Sequence, residues 1–190
     1  MGYDVAAVFA DRADAAGLDI ARDLGVPARA LTPAKSASRA AYETSLAAAI
    51  DAYSPSLIVL AGFMRILSAD FVARYEGRIL NIHPSLLPKY TGLHTHERAI
   101  AARDRQHGAT VHFVTEELDG GPPVIQGRLH VDPDDDASSL AARVQVLEHR
   151  IFPLAVSWYC SGRLRYEAGR AWLDGQVLPE PVHYDGVEER

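Results

Sequence analysis

The sequence predicts an α/β fold in which helices cover both faces of a mostly parallel sheet. Short apolar segments typical of strands alternate with longer segments that have helical periodicity. Two of the apolar segments, residues 56–61 and 78–82, are continuous rather than alternating, as in strands buried on both faces of a parallel sheet. This order is typical of Rossmann-like domains, whose sites lie beyond the carboxyl ends of the strands.

The first third of the chain predicts two strand–helix pairs. The predicted strands are residues 3–10 and 27–31, and the predicted helices are residues 11–24 and 36–53. Gly25 follows the first helix, where its conformational freedom favours a helix end. The second helix is rich in Ala and repeats large apolar residues every four positions, at Tyr42, Leu46 and Ile50.

The middle of the chain contains the two buried strands and two short helices. Residues 68–75 predict a helix that Ser68 caps and Gly77 ends, and residues 95–103 predict another. The strand at residues 78–82 continues directly into His83 and Pro84, and the proline disfavours further regular structure. A loop stiffened by prolines follows.

The last third predicts two strands, a long helix and short terminal strands. The two strands are residues 109–115 and 124–131. Residues 134–139 offer several N-caps for a helix whose apolar face contains Leu140, Val144, Leu147, Ile151 and Leu154. Residues 180–190 are polar, so we expect a frayed tail. No linker or repeat divides the chain, and we predict a single domain over residues 1–190.

Composition excludes several classes of protein. The 19 Lys and Arg residues against 25 Asp and Glu give a formal charge of −6, whereas non-specific nucleic-acid binders carry a basic excess. No apolar run approaches the roughly 20 residues that span a bilayer, and no secretory leader is visible. The single cysteine, Cys160, cannot form an internal disulfide. We therefore predict a cytoplasmic protein that acts on small molecules and not on nucleic acid or membranes.

Polar side chains at a strand end suggest acyl chemistry. Asn81 and His83 are two residues apart, so they share one face of the predicted strand. The amide of Asn81 offers a donor for a developing oxyanion, and His83 offers a proton near neutral pH. Asp119 lies in a Leu-Asp-Gly-Gly-Pro turn, and a carboxylate beside a histidine favours the imidazolium. Each motif alone is more typical of an ordinary strand end or Asp-Gly turn.

Other candidate residues leave alternatives open. His112 alternates with apolar neighbours, so it either points into a site or is a satisfied strand residue. His94 and His96 form a His-x-His pair, but no Cys cluster or His-Glu helix motif accompanies them, and we predict no metal site. Gln145 and Glu148 lie three apart on the long helix, where they meet either a ligand or solvent.

Several segments together resemble the folate-dependent formyltransferases. They are AGFMRILS from residue 61, LNIHPSLLPKYTGLHTHE from residue 80, HGATVHFVTEELDGGPPVIQ from residue 107, and the EHRIFPL and AWLDGQ segments further on. The Asn-x-His-Pro-Ser-Leu-Leu-Pro and Leu-Asp-Gly-Gly-Pro motifs are specific to the family. The Gly-Leu-His-Thr-His continuation and AWLDGQ favour its purine-pathway branch. The resemblance implies transfer of a formyl group from 10-formyltetrahydrofolate, as co-substrate, to the amine of 5'-phosphoribosylglycinamide.

The resemblance also implies roles for individual residues. Asn81, His83 and Asp119 match the catalytic trio of the family, and His112 is a candidate for a supporting position beside it. Folate binding is implied for Arg39, Met64, Arg65, Ile66, Leu67, Asn81, Thr115, Glu116, Glu117, Leu118 and Asp119. Nucleotide binding is implied for Gln145, Val146, Leu147 and Glu148. No metal is implied, and a homodimer is one of the open assembly states.

The sequence departs from the family at its start. Members of the family begin with a strand, a Gly-Asn-Gly-Ser-Asn-like phosphate loop and a helix, and no segment of the 190 residues matches these. We expect weaker binding of the substrate phosphate as a result. Alternatives are a truncated folate-binding remnant with little activity, a formyltetrahydrofolate deformylase and a sugar-nucleotide formyltransferase. A methionyl-tRNA formyltransferase is disfavoured, because that enzyme adds a basic C-terminal domain.

Overall fold

The computed structural model describes residues 2–34 and 38–185. The chain forms two compact units, Met1–Ser56 and Leu57–Arg190, which are described separately. The prediction of one domain over the whole chain stays a prediction.

The first unit contains two strands and two helices. Its elements are β1 (Val8–Ala10), α1 (Ala16–Asp23), β2 (Ala28–Ala30) and α2 (Arg39–Asp51). The strands β1 and β2 pair in parallel, as the predicted strand–helix alternation requires. Ser38 caps α2, because its hydroxyl accepts a hydrogen bond from the Ala41 N–H at 3.2 Å. The predicted start of this helix at residue 36 lies outside the described residues.

The second unit is built around a five-stranded sheet. Its elements are β3 (Ile58–Leu60), α3 (Ala69–Arg74), β4 (Ile79–His83), α4 (Thr95–Ala101), β5 (Gln106–Phe113), β6 (Pro123–His130), α5 (Ala137–Cys160), β7 (Leu164–Glu167), β8 (Arg170–Leu173), β9 (Gln176–Val177) and β10 (Val182–Asp185). The order in the sheet is β10-β6-β5-β4-β3. The strands β7, β8 and β9 form a separate antiparallel sheet.

The central sheet is mostly parallel, as predicted. The strand pairs β3–β4 and β6–β10 are parallel, whereas β5 is antiparallel to both of its neighbours. Four of the five strands therefore run in one direction, and β5 alone runs in the other. As a result, the end of β4 that contains Asn81 and His83 lies directly beside residues 110–112 of β5.

The long helix α5 packs against the sheet and forms much of the core. Asp136 caps it through a capping box with Ser139. Leu147 and Ile151 pack over Gly127 of β6, where an added Cβ would lie 3.3 Å from the Leu147 side chain. On β5, a Cβ at Gly108 would lie 1.9 Å from the Gly127 carbonyl oxygen, so only glycine fits there.

The structure corrects the prediction for the end of the chain. Residues 182–185 are not frayed, because they form β10 and pair in parallel with β6. Residues 186–190 lie outside the described residues. In the part of the chain that the structure describes, no helix combines the length and apolar character needed to cross a membrane.

Candidate active site

Two neighbouring strands bring the predicted polar residues together. Asn81 on β4 is directly opposite His112 on β5, and His83 is opposite Thr110. The Asn81 Nδ2 atom lies 3.1 Å from the Nε2 atom of His112. Asp119 approaches the same place from the turn between β5 and β6. These four side chains, Asn81, His83, His112 and Asp119, form what we call the polar cluster.

Asp119 is held in place by its turn and by one backbone donor. Its backbone has φ of 52°, a left-handed conformation that Asp tolerates better than most residues. The carboxylate accepts a hydrogen bond from the Gly92 N–H at 2.8 Å. Gly121 completes the turn, because a Cβ there would lie 1.9 Å from the Phe113 carbonyl oxygen. The glycine-rich turn thus directs a buried carboxylate toward the strand ends.

Both nitrogens of the His83 ring face acceptors. The Nε2 atom lies 2.8 Å from the Tyr90 carbonyl oxygen, which can only accept, so this nitrogen has a proton. The Nδ1 atom lies 3.5 Å from Oδ2 of Asp119, and the two side chains are only 8% and 9% exposed. Both contacts are to acceptors, so the buried carboxylate lies where it can stabilise positive charge on the ring.

His112 orients the amide of Asn81. Its Nδ1–H donates to the Phe113 carbonyl oxygen at 2.9 Å, which leaves Nε2 as the acceptor of the neutral ring. Burial lowers the pKa of His112, although the Phe113 carbonyl and Asp119 act against this shift. A neutral His112 accepts from Asn81 Nδ2, so the second N–H of that amide remains for another acceptor. His112 therefore contacts Asn81, and a supporting role in catalysis stays a prediction.

An open cleft of about 90 Å³ lies beside the polar cluster. Its lining includes nine residues predicted to bind folate: Arg65, Ile66, Leu67, Asn81, Thr115, Glu116, Glu117, Leu118 and Asp119. Met64 is 78% exposed and does not line it. Arg39 belongs to the first unit, where its Nε lies 3.6 Å from a carboxylate oxygen of Glu43. A contact between folate and either of these two residues stays a prediction.

Sequence reasoning missed other parts of the site. Leu60, Phe63, Val72 and Val114 add an apolar wall to the cleft. The backbone groups of Tyr90 and Gly92 also contact the polar cluster, and the sequence motif that contains His83 does not predict these contacts. A pattern of side-chain types carries no information about which backbone carbonyl or N–H contacts a neighbour.

The predicted nucleotide residues lie on α5. Gln145 and Val146 are exposed, whereas Leu147 is buried against the sheet and cannot present its side chain to a ligand from there. Burial raises the pKa of Glu148, and His149 acts in the opposite direction. A nucleotide contact by Gln145 or Glu148 stays a prediction.

The histidines of the His-x-His pair have protein partners. His96 Nδ1 lies 3.1 Å from Nε2 of the buried His107, and His94 Nδ1 lies 3.5 Å from Glu97. Among residues 2–34 and 38–185, no group of three or more His, Cys, Asp or Glu side chains has the arrangement to hold a metal ion.

Comparison with known proteins supports one family. Residues 1–156 match the family described as formyl transferase. The chain is 53% identical over 175 residues to the phosphoribosylglycinamide formyltransferase of Escherichia coli strain K12, covering 92% of this chain and 82% of that protein. A solved phosphoribosylglycinamide formyltransferase from Coxiella burnetii is 47% identical with a TM-score of 0.89, covering 94% of this chain and 86% of that one.

A related activity is also represented among the solved structures. The formyltetrahydrofolate deformylase of Burkholderia mallei is 28% identical with a TM-score of 0.80, and the match covers 90% of this chain but 59% of that one. The polar cluster, the cleft beside it and these similarities agree, and the chain belongs to the formyl transferase family.

Proposed function

We propose that the protein transfers a formyl group from 10-formyltetrahydrofolate to the amine of 5'-phosphoribosylglycinamide. The observation that carries the proposal is the buried His83–Asp119 pair beside the amide of Asn81. Acyl transfer to an amine passes through a tetrahedral intermediate, and this arrangement stabilises negative charge on its oxygen. The 53% identity to a protein named for this reaction supports the choice of substrates.

The reaction starts with attack of the substrate amine on the formyl carbon. The carbonyl oxygen becomes an oxyanion, which accepts a hydrogen bond from the free N–H of Asn81 and is stabilised by the positive charge of His83. An oxyanion is a stronger acceptor than a neutral carbonyl, so the Nε2–H of His83 can exchange the Tyr90 oxygen for it. The amine then loses a proton, the folate nitrogen gains one, and the carbon–nitrogen bond to the folate breaks.

Asp119 and His112 support this chemistry. The carboxylate of Asp119 fixes the His83 ring and can stabilise positive charge on it, because the two groups are 3.5 Å apart and shielded from water. His112 holds the Asn81 amide so that an N–H, not the carbonyl oxygen, faces the oxyanion.

We place the folate in the cleft beside the polar cluster. Its apolar wall suits a flat ring system, and residues 115–119 line the cleft beside that wall. Gln145 and Glu148 would contact the ribonucleotide, whose amine must reach the polar cluster. We further propose a cytoplasmic location and leave a homodimer as a candidate assembly.

The test is a competition between acceptors. Purified protein is given 10-formyltetrahydrofolate with phosphoribosylglycinamide, an amino sugar or water alone, and release of tetrahydrofolate is measured. We expect turnover with the ribonucleotide only, and release in water alone would identify a deformylase. His83→Ala should lower kcat by orders of magnitude while a folate analogue still binds. Binding of the analogue without turnover by the wild-type protein would indicate a folate-binding remnant.

A further inference from the structure

The loop that follows β4 contacts both members of the His83–Asp119 pair. The carbonyl oxygen of Tyr90 lies 2.8 Å from His83 Nε2, and the Gly92 N–H donates to Asp119 Oδ2 at 2.8 Å. The orientation of the histidine ring and of the carboxylate therefore depends on where residues 90–92 are held.

The loop adopts a conformation that needs support. Tyr90 has φ of 60°, in the left-handed region that costs free energy for a residue with a Cβ. A backbone group placed this way is reliable as a hydrogen-bond acceptor only if neighbouring contacts fix the residue. The structure supplies these contacts at the tyrosine side chain and at the next carbonyl.

Asp104 anchors the tyrosine from outside the polar cluster. The Tyr90 hydroxyl donates to Asp104 Oδ2 at 2.8 Å, and Lys89 Nζ lies 2.6 Å from both carboxylate oxygens. Burial raises the pKa of Asp104, but hydrogen bonds from Lys89 and Tyr90 outweigh it, so the pKa lies below its usual value. Its own N–H donates to the Ala99 carbonyl at 3.1 Å, which ties the anchor to α4.

Arg98 of α4 supports the same loop. Its Nη1 donates to the Thr91 carbonyl oxygen at 2.6 Å, and its guanidinium lies 4.9 Å from the centre of the Tyr90 ring. The Lys89 ammonium lies 5.0 Å from the same ring. The tyrosine is thus held at its hydroxyl, at its ring and at the adjacent carbonyl.

We propose that Asp104 is a positioning residue for formyl transfer, which it supports by holding Tyr90 so that the loop orients His83 and Asp119. This inference rests on the proposed function. Asp104 contacts neither of these two side chains directly in the described hydrogen bonds, and it acts through the tyrosine.

The first test separates kcat from KM. Asp104→Ala removes the acceptor for the Tyr90 hydroxyl, and we expect kcat to fall roughly tenfold, because small displacements of catalytic groups are costly. KM for both substrates should stay within about twofold, since the cleft is untouched. Asp104→Asn keeps an acceptor oxygen and should recover most of the activity. Asp174→Asn, which removes an exposed carboxylate paired with Arg163, is the matched control.

A second variant controls for misfolding of Asp104→Ala. Tyr90→Phe removes only the hydroxyl, and we expect it to reproduce the loss in Asp104→Ala. The double variant should be no worse than the poorer single variant, because both changes break one hydrogen bond. Additive losses, or an unchanged kcat in Asp104→Ala, would overturn the proposal.

A spectroscopic readout separates this inference from the proposed function. The Nε2–H of His83, shielded by the Tyr90 carbonyl, should give an exchange-protected imidazole signal in proton–nitrogen NMR, assigned by its loss in His83→Ala. We expect Asp104→Ala to weaken that protection and Asp174→Asn to preserve it. The same signal in wild type and Asp104→Ala overturns the inference. If the wild-type protein transfers no formyl group but the His83 signal still loses protection in Asp104→Ala, the proposed function is refuted. The positioning of His83 by Asp104 then stands.

Discussion

The hydroxyl of Thr110 offers a direct test of how the site is supported. Thr110 is fully buried on β5, opposite His83. Its Oγ1 donates to the Ser85 carbonyl oxygen at 2.6 Å and accepts from the Leu87 N–H at 3.1 Å. It also accepts from Gln126 Nε2 at 3.1 Å. One hydroxyl therefore joins β5 and β6 to the loop that follows β4.

Thr110→Val removes this hydroxyl with little change in shape. The Ser85 carbonyl and the Leu87 N–H lose their partner, whereas Gln126 keeps the Leu87 carbonyl as an acceptor at 2.8 Å. A buried polar group left without a hydrogen-bond partner lowers the stability by about 1–3 kcal/mol. Because two buried groups lose their hydrogen-bond partner, we expect the free energy of unfolding to fall by roughly 2–6 kcal/mol.

Urea unfolding followed by tryptophan fluorescence measures this change. Both tryptophans, Trp158 and Trp172, lie in the second unit, so the signal reports on the part that contains the site. The slope of the free energy against urea should be unchanged, which indicates a change in stability alone. Thr110→Ser keeps the hydroxyl and should retain most of the stability. Thr110→Val within about 0.5 kcal/mol of the wild type would refute the reasoning.

Three further predictions concern charge. Asp119→Asn removes the carboxylate 3.5 Å from His83 Nδ1, so the ring loses the charged group that fixes it and kcat should fall by about tenfold or more; an unchanged kcat would contradict the coupling. Burial, assisted by His96, lowers the pKa of His107 from 6.5 to about 4. The unfolded chain therefore binds more protons between these two pH values, so the urea concentration at the unfolding midpoint should decrease as the pH is lowered from 6.5 to about 4. His107→Gln should weaken this dependence on pH. Glu148→Gln should raise KM for the ribonucleotide about tenfold and leave KM for the folate unchanged, and equal effects on both would argue against a nucleotide contact.

The elements with strong local signals were predictable from the sequence. Ser68 caps α3 through the Phe71 N–H, and Asp136 caps α5, in each case within the predicted segment. The period of a strand was enough to place Asn81 and His83 on one face. Helix caps, helical periodicity and strand alternation depend on neighbours within a few residues, which a single sequence displays directly.

The features that depend on distant pairing were not predictable. The strand β10 has only four residues in an otherwise polar tail, and it becomes a strand because β6 offers it a parallel edge. The pairing of Asn81 with His112 depends on the antiparallel register of β4 and β5. The contact from Tyr90 to His83 uses a backbone carbonyl, which is the same in every residue. No pattern of side-chain types identifies such a group.

The close approach of strands at Gly108 affects how genetic data on this protein should be interpreted. Any other residue there forces a Cβ against the Gly127 carbonyl, and the same holds at Gly121 against Phe113. In a saturation mutagenesis screen scored by growth, these glycines should be as intolerant of substitution as His83. A parallel screen scored by protein abundance would separate them, because glycine variants disappear from the cell while His83 variants accumulate in inactive form. Sensitivity to mutation alone therefore does not distinguish the catalytic residues from the glycines that the fold requires.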